Sequence, residues 1–186
     1  PRDIVALREL LRSHGSAARV VAKIEDQLAV RNVNGIIDET DAVMVARGDL
    51  GIECPMEELP IIQRKIVKRC VQQGCLVIVA THMLESMIES PMPTRAQVID
   101  VANAVYEQTD AIMLSGETTV GKYPVKCIEV FDRIAQRIER SGGANFFEAA
   151  ELTQPRQKVV KSAVVMANEL KAEAILVLTR HGSMAR

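Results

Sequence analysis

A parallel α/β fold is predicted by three features of this 186-residue chain. Four short, nearly continuous apolar runs recur along it, helix-period stretches alternate with them, and each run ends on charged or hydroxyl residues. Right-handed crossovers then stack helices outside a parallel sheet, as a doubly wound sheet or as an arc of a (β/α)8 barrel.

The elements follow in order. In "DIVALRELLRSHG", Ile4, Leu7, Leu10 and Leu11 share one helical face, and Gly15 is a fitting stop. The strands are "RVVAKIE", "DAVMVA", "CLVIVA" and "DAIMLS", whose near-continuous hydrophobicity implies burial on both faces. Helices are expected in "PMEELPIIQRKIVKRCVQQG", "TRAQVIDVANAVYEQT" and "YPVKCIEVFDRIAQRIERSGG", with Pro60 in a first turn and Thr94 as an N-cap. The methionines of "THMLESMIESPM" read as core filler. At "SGGANFFEAAELTQPRQ" the apolar period breaks, which marks a linker over residues 143–156 between a barrel portion, 1–142, and a further segment, 157–186. That last segment reads as one helix and one buried strand, the opening of a second α/β domain.

Strand ends choose between the two architectures. They carry Lys23 and Glu25, Arg47 and Asp49, Thr81 and His82, and Ser115 and Glu117. Polar groups delivered from several strand ends are the barrel signature. No GxGxxG or GxxxxGK[ST] phosphate loop of a doubly wound fold occurs.

Composition limits the function classes. A hydrophobic fraction of 48% suits a core-forming chain, and 23 basic against 24 acidic residues supply no field for nucleic acid or an anionic membrane. The apolar runs are too short to span a bilayer, and no basic segment followed by an apolar one opens the chain, so a cytoplasmic location is expected. Cys54, Cys70, Cys75 and Cys127 form no CxxC pair, and reduced structural thiols are expected. Starting at Pro1 and stopping within "GSMAR", the chain reads as a fragment.

Lys23, Glu25 and Asp49 are the strongest chemical group. Residues two apart on a strand point the same way, so Lys23 and Glu25 share a side, and the neighbouring strand brings Asp49 to the same rim. Two carboxylates suit Mg²⁺ or Mn²⁺, and a lysine beside such an ion offsets charge developing on a phosphoryl group or an enolate. Spacing equally admits a rim ion pair and a solvated turn aspartate. Gly48 permits close backbone approach, and "GDLG" opens a helical turn suited to an anion or serves as a glycine-punctuated bend. Thr81 offers a hydroxyl and His82 a titratable ring. Arg47, His82, Ser115 and Glu117 are candidates for support around the site. No nucleophile-elbow context surrounds any serine, which argues against covalent hydrolysis.

The runs "AKIE" (22–25), "DAVMVARGDLGIE" (41–53), "VATHMLESMIESPMPTRAQVIDVANAV" (79–105) and "DAIMLSGETTVGKYPV" (110–125) together resemble the C-terminal half of the barrel domain of the pyruvate kinase family. The resemblance implies four strands of a (β/α)8 TIM barrel with outer helices, followed by the start of the family's α/β C-terminal domain. It implies phosphoryl transfer from phosphoenolpyruvate to ADP, giving pyruvate and ATP. Lys23 corresponds to the lysine that stabilises the transferring phosphoryl group and the enolate. Glu25 and Asp49 match divalent-metal ligands, and the Gly48 and Asp49 amides with Thr81 match substrate contacts. K⁺ ligands, an arginine and the lid domain belong to parts of the family outside these residues, so the polypeptide alone is expected to be inactive. A homotetramer with Arg95 and its helix at an interface is likewise implied. The family usually carries glutamine at the position of His82, and acidic and glycine residues at Leu28 and Ala29. "LTRHGSMAR" resembles the opening of an effector loop that often holds a sugar phosphate, with Thr179, Arg180 and Ser183 as candidates, although its usual hydroxyl run is incomplete. Two other classes compete: a Mg²⁺-dependent aldolase or lyase of the phosphoenolpyruvate/pyruvate barrel group, which needs no ADP, and a non-catalytic metabolite-binding module, against which the presence of Lys23, Glu25, Asp49 and Thr81 together argues.

Overall fold

The computed structural model describes residues 1–150 and 152–179. They divide into two units between Glu148 and Ala149. In the first, helix α1 (Arg2–Ser13) precedes strand β1 (Val21–Ile24), followed by α2 (Gln27–Arg31), α3 (Val33–Glu39), β2 (Ala42–Ala46), α4 (Arg47–Glu53) and α5 (Leu59–Gln73). Then come β3 (Leu76–Ala80), α6 (Arg95–Tyr106), β4 (Ala111–Met113), α7 (Gly116–Thr119) and α8 (Pro124–Glu139). The four strands form one parallel sheet in the order β1-β2-β3-β4. Strand order equal to chain order, with helical crossovers, is the pattern of a barrel arc and lacks the switch point of a doubly wound sheet.

Burial on the two faces is unequal, contrary to the expectation of strands buried on both. Ile24, Val45 and Val79 form one registered row that is fully buried against the helices. Lys23, Met44 and Ile78 form the next row, on the other face, and are exposed or half-buried. Edge position adds to this, since β1 and β4 each have one neighbour and Val21 is 46% exposed. The core therefore lies between the sheet and the helices. Gln63, Ile66, Val67 and Cys70 are the buried stripe of α5, and Cys127, Val130 and Phe131 that of α8. Such i, i+3, i+4 spacing puts each set on one helical face. Each aliphatic side chain so buried contributes roughly 1.5–3 kcal/mol of transfer free energy. Met83 and Met87 are fully buried as expected, whereas Met92 is exposed.

Helix ends follow local chemistry. Thr94 Oγ1 accepts from Gln97 N while Gln97 Oε1 accepts from Thr94 N, a reciprocal box that caps α6. Pro60 sits in the first turn of α5. Gly15 (φ +66°) follows the end of α1, and Gly74 (φ +68°) ends α5 in the left-handed region. Helices α2 and α3 were not expected. With 5 and 7 residues they are too short to show a period, and the local signal is Asp26, whose Oδ1 accepts from Ala29 N at 2.7 Å.

One device recurs at the strand starts. Asp41 Oδ2 accepts from Val20 N (2.8 Å) while Asp41 N donates to Val20 O (3.0 Å). Asp110 Oδ2 accepts from Val77 N (2.8 Å) while Asp110 N donates to Val77 O (3.0 Å). Each aspartate that opens a "DA(V/I)M" run thus clamps the start of the preceding strand.

The second unit contains α9 (Pro155–Glu169). The strand expected after it does not form: residues 174–179 have no regular structure, and Leu176 and Leu178 are more than 90% exposed. A strand exists only by pairing, and the described residues of this unit contain no other strand. Of the three effector-loop candidates, Thr179 is exposed, and Arg180 and Ser183 lie outside the described residues.

Candidate functional site

The C-terminal ends of β1, β2 and β3 converge. Register places Ile24 beside Val45 and Ala46 beside Ala80, so Glu25, Arg47 and Thr81 leave the sheet side by side. Lys23 Nζ lies 2.6 Å from Glu25 Oε2 and 3.8 Å from Asp49 Oδ2. The three side chains are about half exposed, at 42% to 56%. Ion pairs this open to solvent add little to stability. Fold requirements therefore give no strong reason for the cluster.

The Glu25 carboxylate raises the Lys23 ammonium above the ordinary lysine value by direct contact and by charge, with Asp49 adding to it. Lys23 is a fixed cation near neutral pH. Glu25 Oε2 is shielded from solvent, and its close partner is the Lys23 ammonium. Among the described residues no group of three or more His, Cys, Asp or Glu side chains converges on a point that could hold a metal ion. Two carboxylates alone fit Mg²⁺ or Mn²⁺, which keep several waters and take substrate oxygens.

Arg47 turns away from this cluster. Its Nε and Nη2 donate to the carbonyl oxygen of Thr81 at 3.2 and 2.6 Å, and Nη1 pairs with Asp100 Oδ1 at 2.6 Å. Thr81 has φ +71° and His82 φ +54°. A left-handed conformation in a β-branched residue costs on the order of 1–3 kcal/mol and survives only where surrounding contacts hold it. The Arg47 fork is such a contact. Thr81 Oγ1 accepts from Gly48 N at 2.7 Å and donates to Ala80 O at 2.6 Å.

Gly48 lies at a close approach to these side chains. A Cβ there would stand 2.8 Å from His82 Nε2 and 3.4 Å from Thr81 Oγ1. His82 Nδ1 is 2.9 Å from Glu85 Oε2, and both side chains are more than half exposed. A cavity of about 520 Å³ opens beside Gly48 and His82, lined on its apolar part by Ile52, Met56 and Leu59 and elsewhere by Arg47 and Asp100. Lys23, Glu25, Asp49 and Thr81 are not among its lining residues.

Glu117 is buried. Its Oε1 accepts from Leu84 N (2.9 Å) and its Oε2 from Ser115 N (2.8 Å). Burial opposes its ionisation, but these N–H donors, with a smaller contribution from the charge of His82, hold the carboxyl below its usual range. It ties the loop after β3 to the end of β4. Ser115 O in turn accepts from Thr118 Oγ1 at 3.3 Å and from Thr119 Oγ1.

The expected residues thus fall into two contiguous groups, Lys23–Glu25–Asp49 and Arg47–Gly48–Thr81–His82, joined through the Gly48–Asp49 turn. Ser115 and Glu117 brace the loop beyond. Asp100 and Glu85 had not been singled out: Asp100 lies 53 residues from Arg47, where no local pattern relates the two.

Comparison with known proteins places these features in a family. Residues 1–128 match the family model described as the pyruvate kinase barrel domain. Over 188 residues the chain is 44% identical to pyruvate kinase 2 of Synechocystis, an alignment covering 100% of this chain and 32% of that protein. It is 43% identical over 194 residues to pyruvate kinase of Clostridium perfringens (100% of this chain, 41% of that protein). Against the cytosolic isozyme of pyruvate kinase from Glycine max it is 45% identical over 190 residues (99% and 37%). The chain thus spans between about a third and two fifths of the length of these relatives. Among the described residues no helix is long and apolar enough to cross a membrane.

Proposed function

The chain belongs to the pyruvate kinase family, and we propose that the protein carrying it transfers the phosphoryl group of phosphoenolpyruvate to ADP, yielding pyruvate and ATP. One observation carries the reading: a fixed ammonium, Lys23, stands between two rim carboxylates, Glu25 and Asp49, at 2.6 and 3.8 Å. Phosphoryl transfer needs little covalent chemistry from the protein. It needs positive charge held where the transferring group and the leaving enolate become negative.

Glu25 and Asp49 are the side chains that would hold a divalent cation, Mg²⁺ or Mn²⁺. Such an ion, when bound, neutralises phosphate and enolate charge. Between the two carboxylates Lys23 keeps its proton, so its part is electrostatic; it holds charge against the phosphoryl oxygens and is a poor proton donor at neutral pH. Thr81 presents a hydroxyl at the same rim and fixes the Gly48 amide. A substrate oxygen taking the Gly48 N–H would have to compete with Thr81 Oγ1, and the freed hydroxyl could then serve the same ligand. Arg47 orients this element through the Thr81 carbonyl. His82, beside Thr81 and paired with Glu85, is a candidate for ordering water at the site.

K⁺ dependence, a homotetramer with the exposed Arg95 on α6 at a contact, a cytoplasmic location and an effector loop including Thr179, Arg180 and Ser183 belong to the same proposal. The test is ATP formation from phosphoenolpyruvate and ADP by the full-length protein and its Lys23→Met variant, with Mn²⁺ binding followed alongside. Loss of turnover with retained Mn²⁺ binding supports the reading. Unchanged turnover refutes the role given to Lys23, and cleavage or aldol chemistry on pyruvate without ATP formation refutes the reaction.

A further inference from the structure

We propose that Cys70 and Cys75 form a peroxide-responsive dithiol that closes to an intrachain disulfide, tying the end of α5 to the start of β3. Helix α5 ends in a Schellman motif. Gly74 is left-handed at φ +68°, Cys75 N donates to Cys70 O at 3.0 Å, and Gly74 N donates to Val71 O at 3.3 Å. That hydrogen-bond pattern brings the side chain two places past the helix end against the one that accepts its N–H, a contact made by apolar residues in most proteins. Here both positions are cysteine, and Cys75 Sγ donates to the carbonyl oxygen of Leu76 at 3.7 Å. The pair, spaced C-x4-C, is set by this turn and has no CxxC signature.

The two thiols are unequal. Cys70 is fully buried in the core, whereas Cys75 is half-buried. Interaction between the two thiols lowers that of Cys75 and raises that of Cys70; burial and the carboxylates of Asp110 and Asp41 oppose the lowering at Cys75. Cys75 is thus the thiol that meets an oxidant first, and Cys70 the one placed to resolve it. The Cys75 thiolate attacks hydrogen peroxide, taking one oxygen to become the sulfenic acid and releasing hydroxide. The Cys70 sulfur then attacks the Cys75 sulfur, the S–O bond breaks and water leaves. Overall, two thiols and one peroxide give one disulfide and two waters. Cys127 has other surroundings, its thiol directed at the carbonyls of Met87 and Glu117 and raised by burial.

Cys75 precedes β3 and Thr81 follows it, so about 20 Å of extended chain separates the pair from the rim. Closure should stiffen the α5–β3 junction and leave the rim chemistry intact. No lysine or arginine lies between Cys70 and Arg95, so trypsin releases both cysteines in one peptide, residues 70–95. After hydrogen peroxide treatment of the full-length protein and quenching with iodoacetamide, this peptide is expected to be two hydrogens lighter, to carry no alkyl group, and to regain two alkylatable thiols with dithiothreitol. In Cys70→Ala, Cys75 is expected to persist as a sulfenic acid trapped by dimedone. Alkylation of both cysteines after peroxide treatment, or a sulfinic Cys75 beside an alkylated Cys70, would overturn the proposal. The wild-type measurement stands whether or not the variant folds.

Discussion

Arg47 holds the carbonyl oxygen of Thr81 with two N–H groups of one guanidinium, at 3.2 and 2.6 Å, while Asp100 anchors the third edge of the same side chain. A planar fork can do this; a lysine ammonium offers a single point charge. The left-handed backbone of Thr81 is therefore maintained by a residue of the neighbouring strand end.

Arg47→Lys is accordingly expected to lower kcat/KM by about tenfold to a hundredfold, the range that small misplacements of a reacting group produce. Steady-state kinetics of the full-length protein measure it, with circular dichroism to show that the fold persists. Activity within twofold of wild type would remove Arg47 from its positioning role.

Thr81→Gly separates strain from chemistry. Glycine adopts φ +71° without steric cost, which offsets the lost hydroxyl contact with Gly48. Thermal unfolding should change by no more than about 1 kcal/mol, while turnover falls at least tenfold. A clearly destabilised variant of full activity would contradict both parts.

Glu117 predicts a pH dependence. Its folded-state carboxyl titrates below the usual value, so the stability it contributes is complete above the unfolded-state pKa of about 4.3 and is lost as pH falls through the lower folded-state value. Glu117→Gln turns one acceptor into an NH2 group facing a backbone N–H. It is expected to cost about 1–3 kcal/mol at pH 7. The gap from wild type in denaturant unfolding should narrow as pH drops below about 4; a pH-independent gap would sink the assignment.

Gly121→Ala tests packing behind the same loop. A Cβ at Gly121 would lie 2.3 Å from the Glu117 carbonyl oxygen, a backbone atom with no rotamer to swing away. A loss of about 1–3 kcal/mol is expected in thermal melts, against a smaller effect for Gly48→Ala, where the imidazole of His82 can rotate aside.

The 186-residue polypeptide on its own is expected to show no turnover in a coupled assay of ATP formation. Its rim charges are 42% to 56% exposed, and electrostatic stabilisation of a transition state needs a site that water does not fill. Measurable turnover by the isolated polypeptide would refute this.

Much of the architecture was legible because it rests on local pattern. Four apolar runs became β1 to β4 within two residues at each end, and the 3.6-residue period marked α5, α6 and α8. Lys23 and Glu25 could be placed together because strand alternation is strictly two-residue. What escaped depends on distant partners. The turn of Arg47 toward Thr81 and Asp100 joins residues 34 and 53 apart, and Glu117 is fixed by a backbone amide 33 residues away. The run at 174–178 failed for the same reason in reverse: its composition suits a strand, but pairing is a property of two segments.

The aspartate clamps at Asp41 and Asp110 lie at the opposite end of the sheet from the rim. They make the sheet a comb fastened along its spine, with teeth ending in Glu25, Arg47 and Thr81. Strand register is secured where no chemistry occurs, so residues at the free tips can be exchanged without loosening the pairing beneath them. His82, at the tip beside Thr81, is the kind of residue such a division of labour leaves free to change.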